Sequence, residues 1–200
     1  DGGRVEAAVD EALGHVQRLQ ALVQHVLAGR QHALVHAGPV EGQMVIFFEL
    51  FLEVIGIEHR AGADLAQIRS QAEKEGHQVV FHGLVKDSEE DIRMALRDAI
   101  RNHSPHAMIL NGGTGITKTD VTIEAVTPMF RKTLTAFSTL FTMLSFEEID
   151  TAAILSRATA GIVADTVVFC LPGSLTACKL ACRSIIFPEL GHVVKHALEP

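Results

Sequence analysis

Tryptophan and tyrosine are missing from this 200-residue chain, so Phe is its only aromatic residue of the Phe, Trp and Tyr group. Cysteine is scarce. Cys170, Cys178 and Cys182 all fall near the C-terminal end. Three thiols without a spacing framework argue against a disulfide-stapled secreted scaffold and for a reducing, cytoplasmic setting. Basic charge is also thin. Lys and Arg number 17 against 24 Asp and Glu, a formal net charge of -7. No extended basic run occurs, which argues against an electrostatic grip on nucleic acid. Long apolar runs are absent as well. The most apolar stretch, Met44 to Ile57, carries Glu49 and Glu53 and is too short and too charged to span a membrane. No basic segment and no small-residue cleavage site precede it, so no signal peptide is expected. It reads as a buried strand or a core helix. Solenoid-length repeats and low-complexity segments are lacking too.

The rest of the composition is globular, with 48% hydrophobic and 20% charged residues. The length suits one medium domain or two small ones. Residues 1–62 stand apart, rich in Ala, Val, Leu, Gln and His. Val9, Leu13, Val16, Leu19, Val23 and Val26 recur at helical steps, which predicts a helix over Glu6 to Leu27. Gly29, Gly38, Pro39 and Gly42 break it.

Beyond residue 63 strands alternate with helices. Leu65 to Glu75 is predicted helical and ends at Gly76, and Gln78 to Val85 is a β-branched strand. Ser88 and Asp91 form a capping pair ahead of a helix with the apolar face Ile92, Ala95, Leu96, Ala99 and Ile100. Ala107 to Leu110 is a short apolar strand. Val121 to Phe130 and Phe146 to Thr159 are predicted helical, with Leu134 to Leu144 undecided. Thr166 to Leu171 is a strand, Ser174 to Ile186 a helix, and a last helix follows Pro188. This alternation predicts a three-layer α/β/α fold with a mostly parallel central sheet.

Two turns carry the chemistry. In the first, Met108-Ile-Leu-Asn-Gly-Gly-Thr-Gly115, an apolar strand runs into Gly112, Gly113, Thr114 and Gly115. The missing side chains let backbone N–H groups approach an anion. Thr117 before Lys118 excludes a Walker A loop, and a missing third glycine excludes GxGxxG. A plain strand-to-loop turn is the equal alternative. Asp120 is either a helix N-cap or a metal ligand beside bound phosphates, the cap being the commoner role. In the second turn a strand ends in Pro172, Gly173 and Ser174. Ser174 is either a helix cap or part of a second phosphate cradle. Both turns sit at strand carboxyl ends, so they can face one cleft.

Four ordered blocks extend these turns: HQVVFHGLVKDSEEDI, ILNGGTGITKTDVTIEAVTPMF, MLSFEEIDTAAILSRATAG and FCLPGSLTACKLACRSIIFPELGHVV. Together they resemble the MoaB/Mog family of molybdenum cofactor biosynthesis proteins, over about Gln67 to Leu198. The resemblance implies a molybdopterin-binding α/β fold, residues 63–200, in a trimer or hexamer that works with other molybdenum cofactor enzymes. In the Mog-type enzymes it also implies adenylylation of molybdopterin, with ATP as co-substrate and Mg2+ as cofactor. Gly112, Gly113, Thr114 and Gly115 match the family's phosphate turn, and Asp120 the acidic residue after it, implied to hold magnesium and assist catalysis. Glu124 matches the glutamate of the following T-x-E-A segment and is the second catalytic candidate. Ser156 and Arg157 fall on the L-S-R segment, and Pro172, Gly173 and Ser174 on the P-G-N or P-G-S turn. Ser174 and MLSFEEI resemble the MoaB branch.

The family's opening T-V-S-D-x-R loop has no counterpart. Glu58, His59 and Arg60 stand in its place, and Leu65-Ala66 replaces a Ser-Gly pair. A shifted reading frame over residues 1–62 would account for so abrupt a break, and translating the other frames of the coding DNA tests that. The departure keeps a second function class open, a non-catalytic molybdopterin-binding or scaffolding protein. Among the 11 His, the pairs His32/His36 and His192/His196 have i, i+4 spacing but no completing ligand in sequence. Cys178 and Cys182, also four apart, read as small core residues.

Overall fold

The structure, a computed structural model, describes residues 43–51 and 69–199, the first stretch as backbone. The helix expected over Glu6 to Leu27, the His32/His36 pair, the Glu58-His59-Arg60 segment and Leu65-Ala66 lie outside the described residues. All described residues fall in one compact unit.

Six strands make one sheet: β1 (Gln43–Phe51), β2 (Gln78–Lys86), β3 (Ala107–Asn111), β4 (Lys132–Thr133), β5 (Thr159–Val163) and β6 (Thr166–Leu171), in the order β2-β1-β3-β6-β5-β4. The β2, β1, β3 and β6 strands run parallel, with Ile46 opposite Ile109 and Asn111 opposite Leu171. The last two strands, β5 and β4, add an antiparallel edge. The apolar run that opens at Met44 therefore supplies a strand, flanked by β2 and β3.

The central strands read as unbroken apolar runs because both of their faces are covered. Ala107 and Ile109 of β3, with Val167, Phe169 and Leu171 of β6, pack against α3 (Thr135–Ile149), α4 (Leu175–Ala181) and α5 (Phe187–Leu198) through Phe137, Phe141, Cys178, Leu190 and Val194. The alternate residues Met108, Leu110, Val168 and Cys170 pack against α1 (Glu89–His103) and α2 (Thr122–Val126) through Ile92, Leu96, Ala99, Ala125 and Val126. This is the expected α/β/α sandwich. The side-chain period of two sends successive residues of one strand into opposite cores.

The local signals hold where they were strong. The Ser88 hydroxyl accepts from the Asp91 N–H at 3.1 Å and donates to its carboxylate at 2.9 Å, a reciprocal cap on α1. Gly76 takes φ +84° where the 69–74 helix stops, and its N–H donates to the Glu73 carbonyl. Ser174 caps α4 by accepting from the Ala177 N–H at 3.2 Å. The three thiols are buried, as small apolar residues are, and burial pushes those of Cys170 and Cys182 up to about 12.

Two expectations need correction. The helix expected over Phe146 to Thr159 is three elements. Helix α3 ends at Ile149, a 3-10 turn covers Asp150–Leu155, and Thr159 and Gly161 lie in β5. The chain leaves α3 through Asp150 at φ 55°, after which the β-branched Thr159, Ile162 and Val163 take a fully buried strand. The helix expected over Val121 to Phe130 shortens to Thr122–Val126, because Pro128 tightens Thr127–Met129 into a 3-10 turn. The undecided Leu134 to Leu144 segment lies almost wholly in α3.

Gly161 is required by close approach. A Cβ there would stand 2.4 Å from Cγ of the Phe130 ring, which lies flat over the strand. Gly161→Ala should therefore destabilise the protein by about 1–3 kcal/mol, the usual cost of overpacking. Urea unfolding of the two proteins checks this, and an unchanged midpoint would show that the ring moves aside at no cost.

Candidate functional site: two strand-end turns and two neighbouring carboxylates

Because β3 and β6 are adjacent and parallel, the loops leaving their carboxyl ends start side by side. The Gly112 N–H donates to the Leu171 carbonyl at 2.9 Å, carrying the ladder one step past the strand ends. A Cβ on Gly173 would lie 3.4 Å from the Gly112 Cα, so the two turns touch through backbone alone. The sequence treats them as separate motifs more than fifty residues apart. The fold makes them one surface.

The first turn is held in shape by its own residues. Gly112 and Gly113 take φ 101° and 58°, the left-handed region that favours glycine. Thr114 is almost fully buried. Thr122, completely buried, ties the loop to α2: its hydroxyl donates to the Gly112 carbonyl at 2.9 Å and its N–H to the Gly113 carbonyl at 2.9 Å. Helix α2 itself begins only at Thr122 and is five residues long. Any anion-binding capacity thus belongs to the loop amides rather than to a helix dipole.

Asp120 is not the helix cap. The residue at that position is Val121, and no side chain caps α2. The Asp120 carboxylate instead folds back into the loop and accepts from the Thr117 N–H at 2.7 Å and the Thr117 hydroxyl at 2.6 Å. Partial burial pushes this carboxyl upward, but the hydrogen bonds from Thr117 and Gly115 and the Arg157 charge outweigh it, holding Asp120 below its ordinary value. A Cβ on Gly115 would come within 2.7 Å of Asp120 Oδ2, so this glycine leaves the room in which the carboxylate sits.

Asp87, just past the end of β2, is the residue that sequence reasoning missed. Its Oδ1 is buried with no hydrogen-bond partner. Burial raises its carboxyl above the ordinary value, and the neighbouring Asp120 charge raises it further. Two carboxylates that feel one another are therefore biased in opposite directions, one toward retaining a proton and one toward losing it. The V-K-D segment ahead of the Ser88 cap was the available signal, but nothing local to it marks a site. Asn111 Oδ1, at the end of β3, is a second buried oxygen without a partner.

Arg157 joins the parts. Its Nε donates to the Thr114 carbonyl at 2.8 Å, and its other guanidinium nitrogen pairs with the Glu124 carboxylate at 2.8 Å. The L-S-R segment thus reaches the glycine loop from the far side of the 3-10 turn, with Ser156 at that turn's C-terminal cap. Glu124 is engaged by Arg157, a positioning contact. Of the remaining sequence candidates, Pro172 and Gly173 line the second turn, and the Ser174 hydroxyl is used as the α4 cap. Among the described residues no group of three or more His, Cys, Asp or Glu side chains could hold a metal ion, and no helix is long and apolar enough to cross a membrane.

An α/β sandwich with two glycine-containing turns at adjacent strand carboxyl ends is the arrangement in which open α/β sheets place small-ligand sites. The family whose sequence pattern matches residues 58–192 is the probable molybdopterin binding domain, and the chain belongs to it. Molybdenum cofactor biosynthesis protein B of Bacillus subtilis is 47% identical over 124 residues, which span 62% of this chain and 73% of that protein. The molybdopterin adenylyltransferase of Pyrococcus furiosus is 41% identical over 124 residues, spanning 60% and 72%. Among solved structures, the tungsten cofactor synthesizing protein MoaB from Pyrococcus furiosus superposes with a TM-score of 0.71 at 34% identity, covering 81% of this chain and 100% of that one.

The geometry separates folding from ligand approach. A Cβ on Gly173 meets only an ordinary van der Waals contact, so Gly173→Ala should fold with its thermal midpoint within a few degrees of the wild type. Gly115→Ala should instead displace the Asp120 carboxylate. Chemical shifts of the Thr117 amide, compared between the two variants, check this. An undisturbed Thr117 in Gly115→Ala would contradict the packing.

Proposed function

We propose that the chain binds molybdopterin in the cradle formed by Gly112, Gly113, Thr114, Gly115, Pro172, Gly173 and Ser174, and transfers an adenylyl group from ATP to the molybdopterin phosphate, the α–β phosphoanhydride of ATP breaking as pyrophosphate leaves. The observation that carries the reading is the contact of the two turns through Gly112 and Gly173, beside a carboxylate held by the first of them. The relative from Pyrococcus furiosus, a molybdopterin adenylyltransferase, supports the reaction class.

The chemistry asks for two phosphate groups brought together and their charge offset. Backbone N–H groups of the two turns would orient the phosphates. Arg157, fixed on the Thr114 carbonyl and Glu124, adds a positive charge to the wall of the loop. Asp87 and Asp120 would hold Mg2+, because paired carboxylate oxygens, one of them without a partner, are hard donors of the kind magnesium takes together with substrate phosphates. When bound, the ion supplies charge neutralisation between the reacting phosphates. Glu124 acts through Arg157 as a positioning residue, and Ser156 lies beside it.

The Glu58-His59-Arg60 segment, in place of the family's Ser-Asp loop, supports a second reading, molybdopterin binding without transfer. Asp120→Asn separates the two. The amide oxygen still accepts from Thr117, so the fold should lose no more than about 1 kcal/mol. Magnesium-dependent adenylylation should fall by about 100-fold or more, since a charge-positioning group is lost. Unchanged turnover in an active preparation would falsify the role of Asp120. Binding of molybdopterin with no transfer by the unsubstituted chain would establish the second reading.

We further propose, on the family resemblance, a homo-oligomer, a trimer or a pair of trimers, working in the cytoplasm with other molybdenum cofactor enzymes; exposed apolar residues outside the site support association. Leu140, Phe146, Ile149, Ile154 and Leu155 expose apolar surface along α3 and the turn after it, Ile154 being 84% exposed. Light scattering should report a mass at least three times 21.6 kDa. A monomer at micromolar concentration rules the assembly out.

A further inference from the structure

Helix α5 buries Phe187, Leu190, Val194 and Ala197 against the sheet. Its opposite, exposed face carries His192 and His196, one turn apart. The two rings meet edge-on with centroids 4.7 Å apart, and their Nε2 atoms lie 3.0 Å from each other. The other nitrogen of each ring faces a carboxylate. Nδ1 of His196 is 2.9 Å from Glu199, and Nδ1 of His192 is 3.4 Å from Glu189.

An ionised carboxylate can only accept, so its pairing with Nδ1 favours the tautomer in which Nδ1 carries the ring proton. In that tautomer both Nε2 lone pairs are directed to the gap between the rings. One proton or one metal ion can bridge them there. The separation also has the right size. Two nitrogens each about 2.05 Å from one metal ion lie about 2.9 Å apart at a right angle and about 3.3 Å apart in a tetrahedron, and the observed 3.0 Å falls between these values. A carboxylate behind each imidazole is the arrangement that orients metal-ligating histidines and raises their basicity.

We propose that His192 and His196 form a chelating site for a divalent first-row transition ion of the copper, nickel and zinc group, with Glu189 and Glu199 as the groups that orient them. Imidazole nitrogen favours these ions over magnesium or calcium. The described residues bring no third side chain of the metal-binding types to the pair, so the remaining positions belong to water or to an outside ligand and the ion is exchangeable. The inference is independent of the adenylyl-transfer reading, since it uses none of the residues of the strand-end turns.

Copper(II) chloride and zinc chloride, each titrated into the full chain, test it. One ion per chain should bind at the pair. His192→Gln and His196→Gln should each lower the affinity at least tenfold, and the copper-bound wild type should show two-nitrogen hyperfine structure in its electron paramagnetic resonance spectrum that the double variant lacks. Glu199→Gln should weaken binding about tenfold, as loss of an orienting partner does. The His32→Gln/His36→Gln double variant controls for the other pair of the same spacing and should leave this site unchanged. Circular dichroism confirms that each variant keeps its helices. Equal affinity and an unaltered spectrum in the His192→Gln/His196→Gln protein would overturn the proposal, as would loss of binding only in the His32→Gln/His36→Gln protein.

Discussion

One backbone hydrogen bond, from the Gly112 N–H to the Leu171 carbonyl, fixes the relation on which the site depends. It exists because β3 and β6 are parallel neighbours in register, Asn111 against Leu171. Parallel strands deliver their outgoing loops to the same edge. Once the two turns are pinned there, each needs only local restraints to become part of a common wall. Thr122 clamps the first from below, Arg157 from the side, and Asp120 closes it from within. The second turn is held at its far end by the Ser174 cap. The meeting of the turns is therefore a by-product of sheet topology, stabilised by polar contacts within each loop and by the long-range hydrogen bond from Arg157.

The parts of this arrangement that were legible in the sequence are those encoded locally. The Ser88 and Asp91 pair, the apolar face of α1, the glycine cluster after β3 and the Pro-Gly-Ser turn after β6 each announce themselves within a few residues, and each took its expected form. The pairing of the two turns also followed, because the rule that ligands meet strand carboxyl ends applies before any coordinates are known. What escaped was set by distance. The upward bias on Asp87 depends on burial and on the charge of Asp120, which the fold brings near it, and no spacing in the chain records that. The cap alternative for Asp120 fails for the same reason. Its cap position was plausible in sequence, but the loop offered it two closer donors in Thr117.

The edge of the sheet shows the same limit. Only Thr159 of strand β5 falls within the expected helix, and the rest of the strand carries no separate expectation, because the Ala and Ile-Leu residues ahead of it suit either state. The strand forms because β6 presents an unpaired edge and α3 a covering face, and those are tertiary facts. Gly161 lies two residues past the end of the expected helix, where glycine reads as a stop. It is instead the position at which the Phe130 ring lies on the strand. The resemblance to molybdenum cofactor proteins singled out residues of both turns because its motifs carry long-range information that propensity and periodicity do not.

The Ser174 cap has a consequence for what substitution at this point can do. Its hydroxyl accepts from the Ala177 N–H, so the head of the helix needs an oxygen here. Asn and Ser serve about equally well in that role. Exchanging one for the other would therefore leave the start of the helix intact. The buried oxygens of Asp87 and Asn111 are the opposite case, since their accepting capacity is still unspent.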